Sequence, residues 1–240
     1  MNGGLEIVMF EQEIETNGFR IVDSYLDRDS IETLIQDITA LNPITDRAGI
    51  RNLLELVPSV RTLAQSREIR SLVEPILGNN ARVVRGIFFD KQPTANWKVP
   101  WHQDLTIAVK NRLEIPDFQP WSVKAGIPHV QPPVEILEQM LTVRIHLDRT
   151  DESNGALKVI PGSHTQGRLT TLEIERWKQS PTSSINCEAG GILLMRPLLL
   201  HASSIAIWQS QRYSNVPNHR RVIHLEYAAQ SLPAGLEWYY

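Results

Sequence analysis

The residues of this chain whose types and spacing could do chemistry begin with a histidine and an aspartate two positions apart. His102 and Asp104 flank Gln103. If this segment is a strand, residues i and i+2 point to the same face, so the imidazole and the carboxylate converge on one point. Two histidines and one carboxylate form the set of ligands that suits non-heme Fe(II) and leaves coordination positions open. The pair therefore predicts two of three metal ligands, and a second histidine must come from elsewhere.

His201 is the candidate for that second histidine, because it closes an apolar run and precedes small residues that would let a metal approach. Further on, Arg220 and Arg221 open another apolar segment. An arginine at the mouth of a strand can clamp a carboxylate through two parallel hydrogen bonds, and alternation turns only one of the two inward. The plainer alternatives are a core histidine bonded to the backbone and a solvated basic pair.

Composition limits the classes of protein to which the chain can belong. The 240 residues are 42% hydrophobic and 21% charged, with a formal net charge of -3, which is ordinary for a globular protein. We therefore expect no nucleic-acid partner and no membrane partner. Residues 1–10 lack a basic segment and a long apolar core, so no signal peptide is expected. The single cysteine, Cys187, excludes a disulfide framework and predicts a reducing, cytoplasmic location. The oligomeric state is left open.

The order of the predicted elements indicates the fold class. Residues 10–80 read as helical, with an apolar stripe after Asp29 or Ser30 as the N-cap and further helices over 51–56 and 60–77. From residue 81 the pattern changes to short segments rich in β-branched residues, separated by turns. The predicted strands cover residues 82–89, 102–109, 141–148, 156–160, 190–195, 198–204 and 220–229. Helices followed by such strands predict an α+β, mainly β protein with an antiparallel sheet or barrel.

Two segments are expected to cover a site. Residues 111–133 are long, rich in proline and irregular, as is typical of a lid. Residues 205–218 lie between His201 and Arg220 and carry Trp208, so they are expected to form a substrate lid or a subunit contact.

Taken together, these motifs resemble the phytanoyl-CoA dioxygenase (PhyH-like) family of Fe(II)/2-oxoglutarate dioxygenases. The resemblance includes the sequence FFDK before a proline-bearing loop, the HxD segment, NGALKVIPGSH at residues 154–164, and HRRVIHLEYA at 219–228, in the family's order. It covers nearly the whole chain. It implies a double-stranded β-helix (jelly-roll, cupin-like) core over residues 81–230, with a helical flank over 1–80 packed outside, in a single domain of residues 1–240.

The resemblance also assigns binding positions. His102, Asp104 and His201 fall on the family's iron ligands. Arg220 falls on the arginine that binds the distal carboxylate of 2-oxoglutarate, with Arg221 as the alternative.

Further positions concern the co-substrate pocket. Ser203 falls where some members place a hydroxyl on the same carboxylate, and Ile87 falls on an apolar position of the pocket wall. Arg144 departs from the family, many members of which have tryptophan there. It could contact 2-oxoglutarate or an acidic substrate, or it could form an ion pair with Asp104, Glu226 or another acid of the barrel.

The implied activity is that of an Fe(II)- and 2-oxoglutarate-dependent dioxygenase. Such an enzyme consumes O2 and 2-oxoglutarate, releases succinate and CO2, and hydroxylates or otherwise oxidises a small-molecule substrate. The carboxylate of Asp104 favours hydroxylation over halogenation, because related halogenases lack it. The alternative is a cupin-like metal-binding protein or an isomerase that does not use 2-oxoglutarate.

Overall fold

The structure is a computed structural model that describes residues 3–41, 49–207 and 219–240, with side chains from residue 10 onward. The α-helices are α1 Gly3–Asn17, α2 Arg28–Ala40, α3 Leu53–Leu56, α4 Pro58–Ala64, α5 Arg67–Leu77, α6 Val134–Glu138 and α7 Thr171–Trp177. The first seven strands are β1 Phe19–Val22, β2 Gly49–Ile50, β3 Arg82–Lys91, β4 Val99–His102, β5 Ile107–Ala108, β6 Trp121–Lys124 and β7 Ile127–Val130. The remaining strands are β8 Met140–His146, β9 Leu157–Val159, β10 Ser183–Ser184, β11 Ile192–Met195, β12 His201–Ser203 and β13 Arg220–Ala228.

The strands form antiparallel sheets, as the sequence predicts. A six-stranded sheet has the order β1-β11-β8-β13-β3-β2, and a four-stranded sheet has the order β10-β9-β12-β4. These two sheets make up the jelly-roll core. A smaller sheet, β5-β7-β6, lies beside them. The helical flank thus contributes β1 and β2 to the large sheet, one at each edge.

Alternation along β8 and β13 gives the large sheet two different faces. Leu141, Val143 and Ile145 are fully buried in a core that they share with Ile223 and Leu225. Each such side chain contributes about 1.5–3 kcal/mol when it is buried. The residues in between point to the other face, the interior of the jelly roll, and these are the polar ones.

The N-terminal helices cover the apolar face of the large sheet. Ile31 and Leu34 of α2 belong to the same core as the sheet residues, and Tyr227 donates a hydrogen bond of 2.8 Å to the carbonyl of Ala64 in α4. The N-cap of α2 is Asp27, whose carboxylate accepts from the backbone N–H of Ser30 at 2.7 Å. The prediction of a later cap was therefore wrong by two or three residues, because an aspartate three positions before Ser30 reaches that N–H.

The strand predicted over residues 102–109 is interrupted. β4 ends at His102 and β5 begins only at Ile107. The backbone N–H of Asp104 bonds the carbonyl of Pro197 at 2.9 Å, outside either strand. His102 and Asp104 are therefore close for a different reason than the shared face of one strand. The chain leaves the four-stranded sheet after His102, and the carbonyl of Pro197 holds the backbone at Asp104 in place.

Residues 111–133 are more regular than predicted. β6 and β7 form a hairpin, and the two residues between them, Ala125 and Gly126, have φ of 52° and 79°. Two successive positive φ angles are typical of the type I′ turn that joins hairpin strands. The prolines and the scattered apolar residues concealed this alternation in the sequence.

The connection over residues 205–218 lies mostly outside the described part of the chain. The described part ends at Ile207, whose N–H bonds the carbonyl of Ser153 at 2.6 Å. The predicted lid or subunit contact around Trp208 falls outside the described residues. Among the described helices, none is long and apolar enough to cross a membrane.

Candidate metal centre

Three side chains meet beside β12 and β4 of the four-stranded sheet. His201 of β12 is the register partner of His102 in β4, and Asp104 follows two residues after β4 ends. The two Nε2 atoms lie 3.7 Å (His102) and 3.8 Å (His201) from the carboxylate oxygens of Asp104. Potential ligand atoms of all three lie within 4.8 Å of one another. The structure thus brings together the three residues that the sequence selected as metal ligands.

The hydrogen bonds of both imidazoles leave their Nε2 atoms available to bind a metal. Nδ1 of His201 lies 2.8 Å from the carbonyl of Leu199, and Nδ1 of His102 lies 2.9 Å from the carbonyl of Pro100. Because a carbonyl only accepts, each Nδ1 carries the proton and each Nε2 keeps its lone pair. Backbone bonds of this kind fix the tautomer and orientation of metal-binding histidines.

Electrostatics favour an ionised carboxylate and a neutral His201 at this site. Burial lowers the pKa of His201 to about 4, so its imidazole is neutral. Burial opposes ionisation of Asp104, but the imidazoles of His201 and His102 outweigh it and hold the pKa of that carboxyl well below its usual range. Burial also opposes protonation of His102, but Asp104 outweighs it and raises the pKa of this imidazole, so a bound metal ion takes the place of a proton there. One carboxylate oxygen and two imidazole nitrogens fit Fe(II). The residues present therefore fit the predicted metal.

Gln103, which the sequence did not single out, fixes the chain between the two ligands. Its Nε2 donates to the carbonyls of Gly167 and Leu198, both at 2.8 Å, and its Oε1 accepts from the N–H of Leu169 at 2.8 Å. The side chain is buried and fully occupied by these bonds. They hold His102 and Asp104 at a fixed separation even though the strand has ended. Nothing in the local sequence indicates partners so distant.

A cavity of about 380 Å³ opens from the metal ligands into the jelly roll. Four further predicted residues line it, namely Ile87, Arg144, Ser203 and Arg220. Arg220 is buried, and burial together with the charge of Arg144 lowers its pKa to about 9.

Lys91 lies behind Ser203 and was also missed in the sequence. It is the register partner of Arg220, and its Nζ donates to the hydroxyl of Ser203 at 2.9 Å and to the carbonyl of Ser204 at 2.5 Å. Burial and the nearby Arg220 lower the pKa of Lys91 to about 7. Lys91 is two steps of alternation beyond Ile87 on the same strand face, which is the signal that could have identified it.

Gly155 links Ser203 and Arg220 and lies close to Lys91. Its carbonyl accepts from Ser203 Oγ at 2.8 Å and from Nη1 of Arg220 at 3.2 Å. Its φ is 78°, and a Cβ there would lie 2.7 Å from Nζ of Lys91. Glycine is required both for the backbone angle and for the space. The Asn-Gly turn of the sequence therefore helps to build the site.

The two arginines that open β13 are separated by alternation. Arg220 points into the cavity, whereas Arg221 donates from Nε and Nη2 to Asp148 at 2.8 and 2.6 Å. Arg221 does not line the cavity. The geometry therefore favours Arg220 as the residue available for a ligand.

Arg144 takes part in a buried relay rather than in a direct ion pair. Its Nη1 lies 2.9 Å from Nδ1 of His224, whose Nε2 lies 3.3 Å from Glu226. Glu226 accepts a second bond from Arg85 at 2.9 Å. Because arginine only donates, Nδ1 of His224 is the acceptor and Nε2 the donor. Within the described ranges Arg144 has no direct ion pair with Asp104 or Glu226, and its Nε has no partner.

The PGSH segment supports the strand that carries His201. Ser163 is buried, its hydroxyl donates to the carbonyl of Ile160 at 2.7 Å, and it accepts from the N–H of Leu200 at 2.8 Å. His164 lies 3.1 Å from the carbonyl of Glu15 through Nε2. This segment is structural: it anchors the backbone of Leu200, the residue that precedes His201.

Comparison with known proteins agrees with the fold and with the chemistry of the site. The phytanoyl-CoA dioxygenase (PhyH) family matches residues 14–205. A curated relative from Stutzerimonas stutzeri, described as a probable alpha-ketoglutarate-dependent hypophosphite dioxygenase, is 31% identical over 106 residues. That match covers 44% of this chain and 28% of the relative, so it spans less than a third of the relative's length.

Solved structures share the fold at low sequence identity. SnoN, a non-heme alpha-ketoglutarate-dependent epimerase from nogalamycin biosynthesis, aligns with a TM-score of 0.68 at 15% identity, over 95% of this chain and 82% of SnoN. EctD from S. alaskensis, solved with 2-oxoglutarate and 5-hydroxyectoine, aligns with a TM-score of 0.68 at 15% identity, over 91% of this chain and 74% of EctD.

The fold and the His-Asp-His group define a jelly-roll protein whose interior carries a group of side chains suited to non-heme Fe(II). More narrowly, the chain belongs to the phytanoyl-CoA dioxygenase family, whose model matches most of its length. Iron, and nickel with 2-oxoglutarate, are bound in solved structures of HygX from Streptomyces hygroscopicus, which share this fold at 14–15% identity with TM-scores of 0.61 and 0.62.

Proposed function

We propose that this protein is an Fe(II)- and 2-oxoglutarate-dependent dioxygenase that oxidises a small-molecule substrate, with residues 1–240 forming one catalytic domain. The observation that carries the proposal is the convergence of two imidazole Nε2 atoms and one carboxylate beside a buried, ligand-facing Arg220. Metal ligands alone would also fit a cupin-like binding protein. A buried arginine in the same cavity adds a place for a dicarboxylate.

His102, Asp104 and His201 are the proposed iron ligands. Because each Nδ1 is tied to a carbonyl, the lone pair of each Nε2 is left for the metal, and the ligand atoms of the three side chains already lie near one another. When bound there, Fe(II) supplies the activation of O2 that decarboxylates 2-oxoglutarate to succinate and CO2. Gln103 keeps the first two ligands in place during this reaction through its three bonds to the backbone.

Arg220, Ser203 and Lys91 are the proposed binding group for the distal carboxylate of 2-oxoglutarate. A guanidinium presents parallel donors that match a carboxylate, and such charged bonds are stronger than neutral ones. Lys91 adds positive charge and orients the hydroxyl of Ser203. Ile87 supplies apolar wall for the methylene groups of the co-substrate.

Arg144 is proposed to face the space between the co-substrate and the substrate. His224 holds one end of its guanidinium, while Nε is buried and has no partner among the residues that the structure describes. A buried donor without a partner costs free energy, which a bound acceptor would recover. This arrangement supports a contact with ligand rather than a structural ion pair.

Anaerobic titration tests the proposal. Adding 2-oxoglutarate to the Fe(II) protein should produce a weak visible metal-to-ligand charge-transfer band, because the keto acid chelates the metal. A metal-binding protein or isomerase that does not use 2-oxoglutarate would give no band, and that result would overturn the proposal. Succinate release in air provides the independent measure of turnover.

A further inference from the structure

The cavity that holds the metal ligands carries an excess of positive charge. Its lining includes five cationic side chains and two carboxylates. The cations are Arg51, Arg85, Lys124, Arg144 and Arg220, and the carboxylates are Asp104 and Glu226.

The excess remains after the proposed cofactors are counted. Fe(II) and the dianion of 2-oxoglutarate cancel each other, Asp104 balances Arg220, and Glu226 balances Arg85. Arg51, Lys124 and Arg144 are then left uncompensated. Three charges in one cleft raise the local concentration of anions, because low-dielectric walls focus the field.

Arg51 and Lys124 lie close enough to Arg85 for its charge to act on both, and Arg85 pairs with Glu226 at the opposite end of β13 from Arg220. Arg51 directly follows β2, which pairs with Phe88 and Phe89 of β3, and Lys124 closes the first strand of the hairpin over residues 121–130. Lys124 donates to the hydroxyl of Thr106 at 3.3 Å.

Neither cation is neutralised by an acid among the residues that the structure describes. Both are half-buried, and neither forms an ion pair with a described residue. Burial lowers the pKa of each, and the charge of Arg85 lowers it further. Cations held near each other in this way are stabilised by any anion that enters.

We propose that the substrate of this dioxygenase carries an oxyanion group, bound by Arg51 and Lys124 at the side of the cavity opposite Arg220. The inference rests on the proposed function and specifies the substrate class of the same site. The oxyanion can be a carboxylate, a phosphate or a sulfonate, since all three offer the acceptors that guanidinium and ammonium donors match.

The size of the cavity limits the part of the substrate that it can hold. Ligand cavities range from about 300 to 1,000 Å³. This one measures about 380 Å³ and must also hold 2-oxoglutarate. The part that fills the remainder has few heavy atoms, so its anionic group lies close to the reacting carbon or heteroatom.

Matched pairs of probes test the proposal on the anaerobic Fe(II)–2-oxoglutarate enzyme. Acetate is compared with acetamide, methanesulfonate with methanesulfonamide, and inorganic phosphate is added as the third oxyanion. Saturating 2-oxoglutarate keeps Arg220 occupied. We expect the anions to bind by calorimetry and to perturb the charge-transfer band, and the neutral amides to do neither. The anion that binds most tightly indicates whether the substrate carries a carboxylate, a sulfonate or a phosphate.

Variants assign the binding to the two cations. Arg51→Gln and Lys124→Gln should each weaken binding of the best anion by about 10- to 100-fold, the value of a hydrogen bond between charged groups. Lys124→Arg keeps the charge and should retain most of the affinity. Arg112→Gln is the matched control, because Arg112 is exposed, lies outside the cavity lining and pairs with Glu114. Thermal melts establish that each variant is folded.

Three results would overturn the inference. The amides could bind as well as the anions, the two glutamine variants could bind the anions as tightly as the wild type, or the loss could follow Arg220→Gln alone. In each case a normal charge-transfer band in the wild type without any probe would leave the proposed dioxygenase activity intact. Absence of that band would instead reject the proposed function itself.

Discussion

Cations line both ends of the cavity, and the two ends hold them differently. At the closed end, Arg220 and Lys91 are buried and bonded to Ser203 and Gly155. At the open end, Arg51 and Lys124 are half-buried, and among the described residues Lys124 bonds only a hydroxyl. The closed end is rigid before any ligand arrives, as suits a co-substrate shared by a whole family. The open end keeps adaptable side chains, as suits a substrate that differs between members.

The relay from Arg144 through His224 to Glu226 and Arg85 runs between the two ends: the charge of Arg144 acts on Arg220, and the charge of Arg85 acts on Arg51 and Lys124. It crosses β8, β13 and β3 at successive register positions. Its members are all buried. A buried network of this kind orients the side chains on both sides of it only while every partner is present.

Loss of a metal ligand should have the largest effect, because both ends of the cavity serve the metal. In Asp104→Ala and in His201→Ala we expect substrate-independent turnover of 2-oxoglutarate to fall by more than about a hundredfold, since even supporting residues of metal sites cost 10- to 100-fold. Succinate release provides the measurement. Asp37→Ala, on the exposed face of α2, is the control, and retained turnover in either ligand variant would refute the assignment of the site.

Breaking the relay should lower the stability of the protein, because it leaves a buried charge between the two ends without its partner. Glu226→Gln keeps the shape but leaves the buried charge of Arg85 without its partner. We expect the free energy of unfolding to fall by about 3 kcal/mol, the typical cost of an unpaired buried charge. Urea denaturation gives the value. Glu175→Gln, which removes an exposed ion pair with Lys178, should change the stability by less than about 1 kcal/mol. Equal losses of unfolding free energy in the two variants would argue against a stabilising role of the relay.

The pair Arg220 and Arg221 sharpens the description of the closed end. Arg220→Gln should raise the concentration of 2-oxoglutarate required for half-maximal turnover by about 10- to 100-fold, because a charged hydrogen-bond donor to its carboxylate is lost. Arg221→Gln loses only Asp148 and should leave that concentration within about twofold of the wild type. If the larger effect followed Arg221, the clamp would have to be reassigned.

The smallest expected effect is a proton taken up at the closed end. In the free protein the pKa of Lys91 is about 7, so at pH 7.5 a large part of this side chain is neutral. A carboxylate bound nearby raises that pKa, so binding of 2-oxoglutarate takes up a fraction of a proton, and affinity falls as the pH rises above 7. Calorimetry in buffers of different ionisation enthalpy measures the uptake. Lys91→Met should abolish it, and an unchanged uptake would assign the proton to another group.

Much of the site could be predicted from the sequence, because its parts are short motifs. His102 and Asp104 stand two residues apart, His201 closes an apolar run, and the segments that form β8 and β13 alternate strictly between an apolar and a largely polar face. The hairpin over residues 121–130 could not be predicted, since its alternation is weak and prolines interrupt it. The cations at the open end were missed for a related reason: Arg51 and Lys124 lie in separate irregular segments, and only the fold brings them together.

The sequence by itself determined the types of the candidate metal ligands, their order, and a mainly β fold with antiparallel strands, because these depend on local spacing and on the period of the apolar residues. The jelly-roll class came from the resemblance to a known family. The tertiary structure decided what each ligand-facing residue is bonded to. Gln103 reaches Gly167 and Leu198, and Lys91 reaches Ser203, across distances in sequence that no local pattern encodes. Burial also decided the charges. The same lysine that is an ordinary cation on a surface has a pKa near 7 here, because the barrel removes its water and places Arg220 beside it.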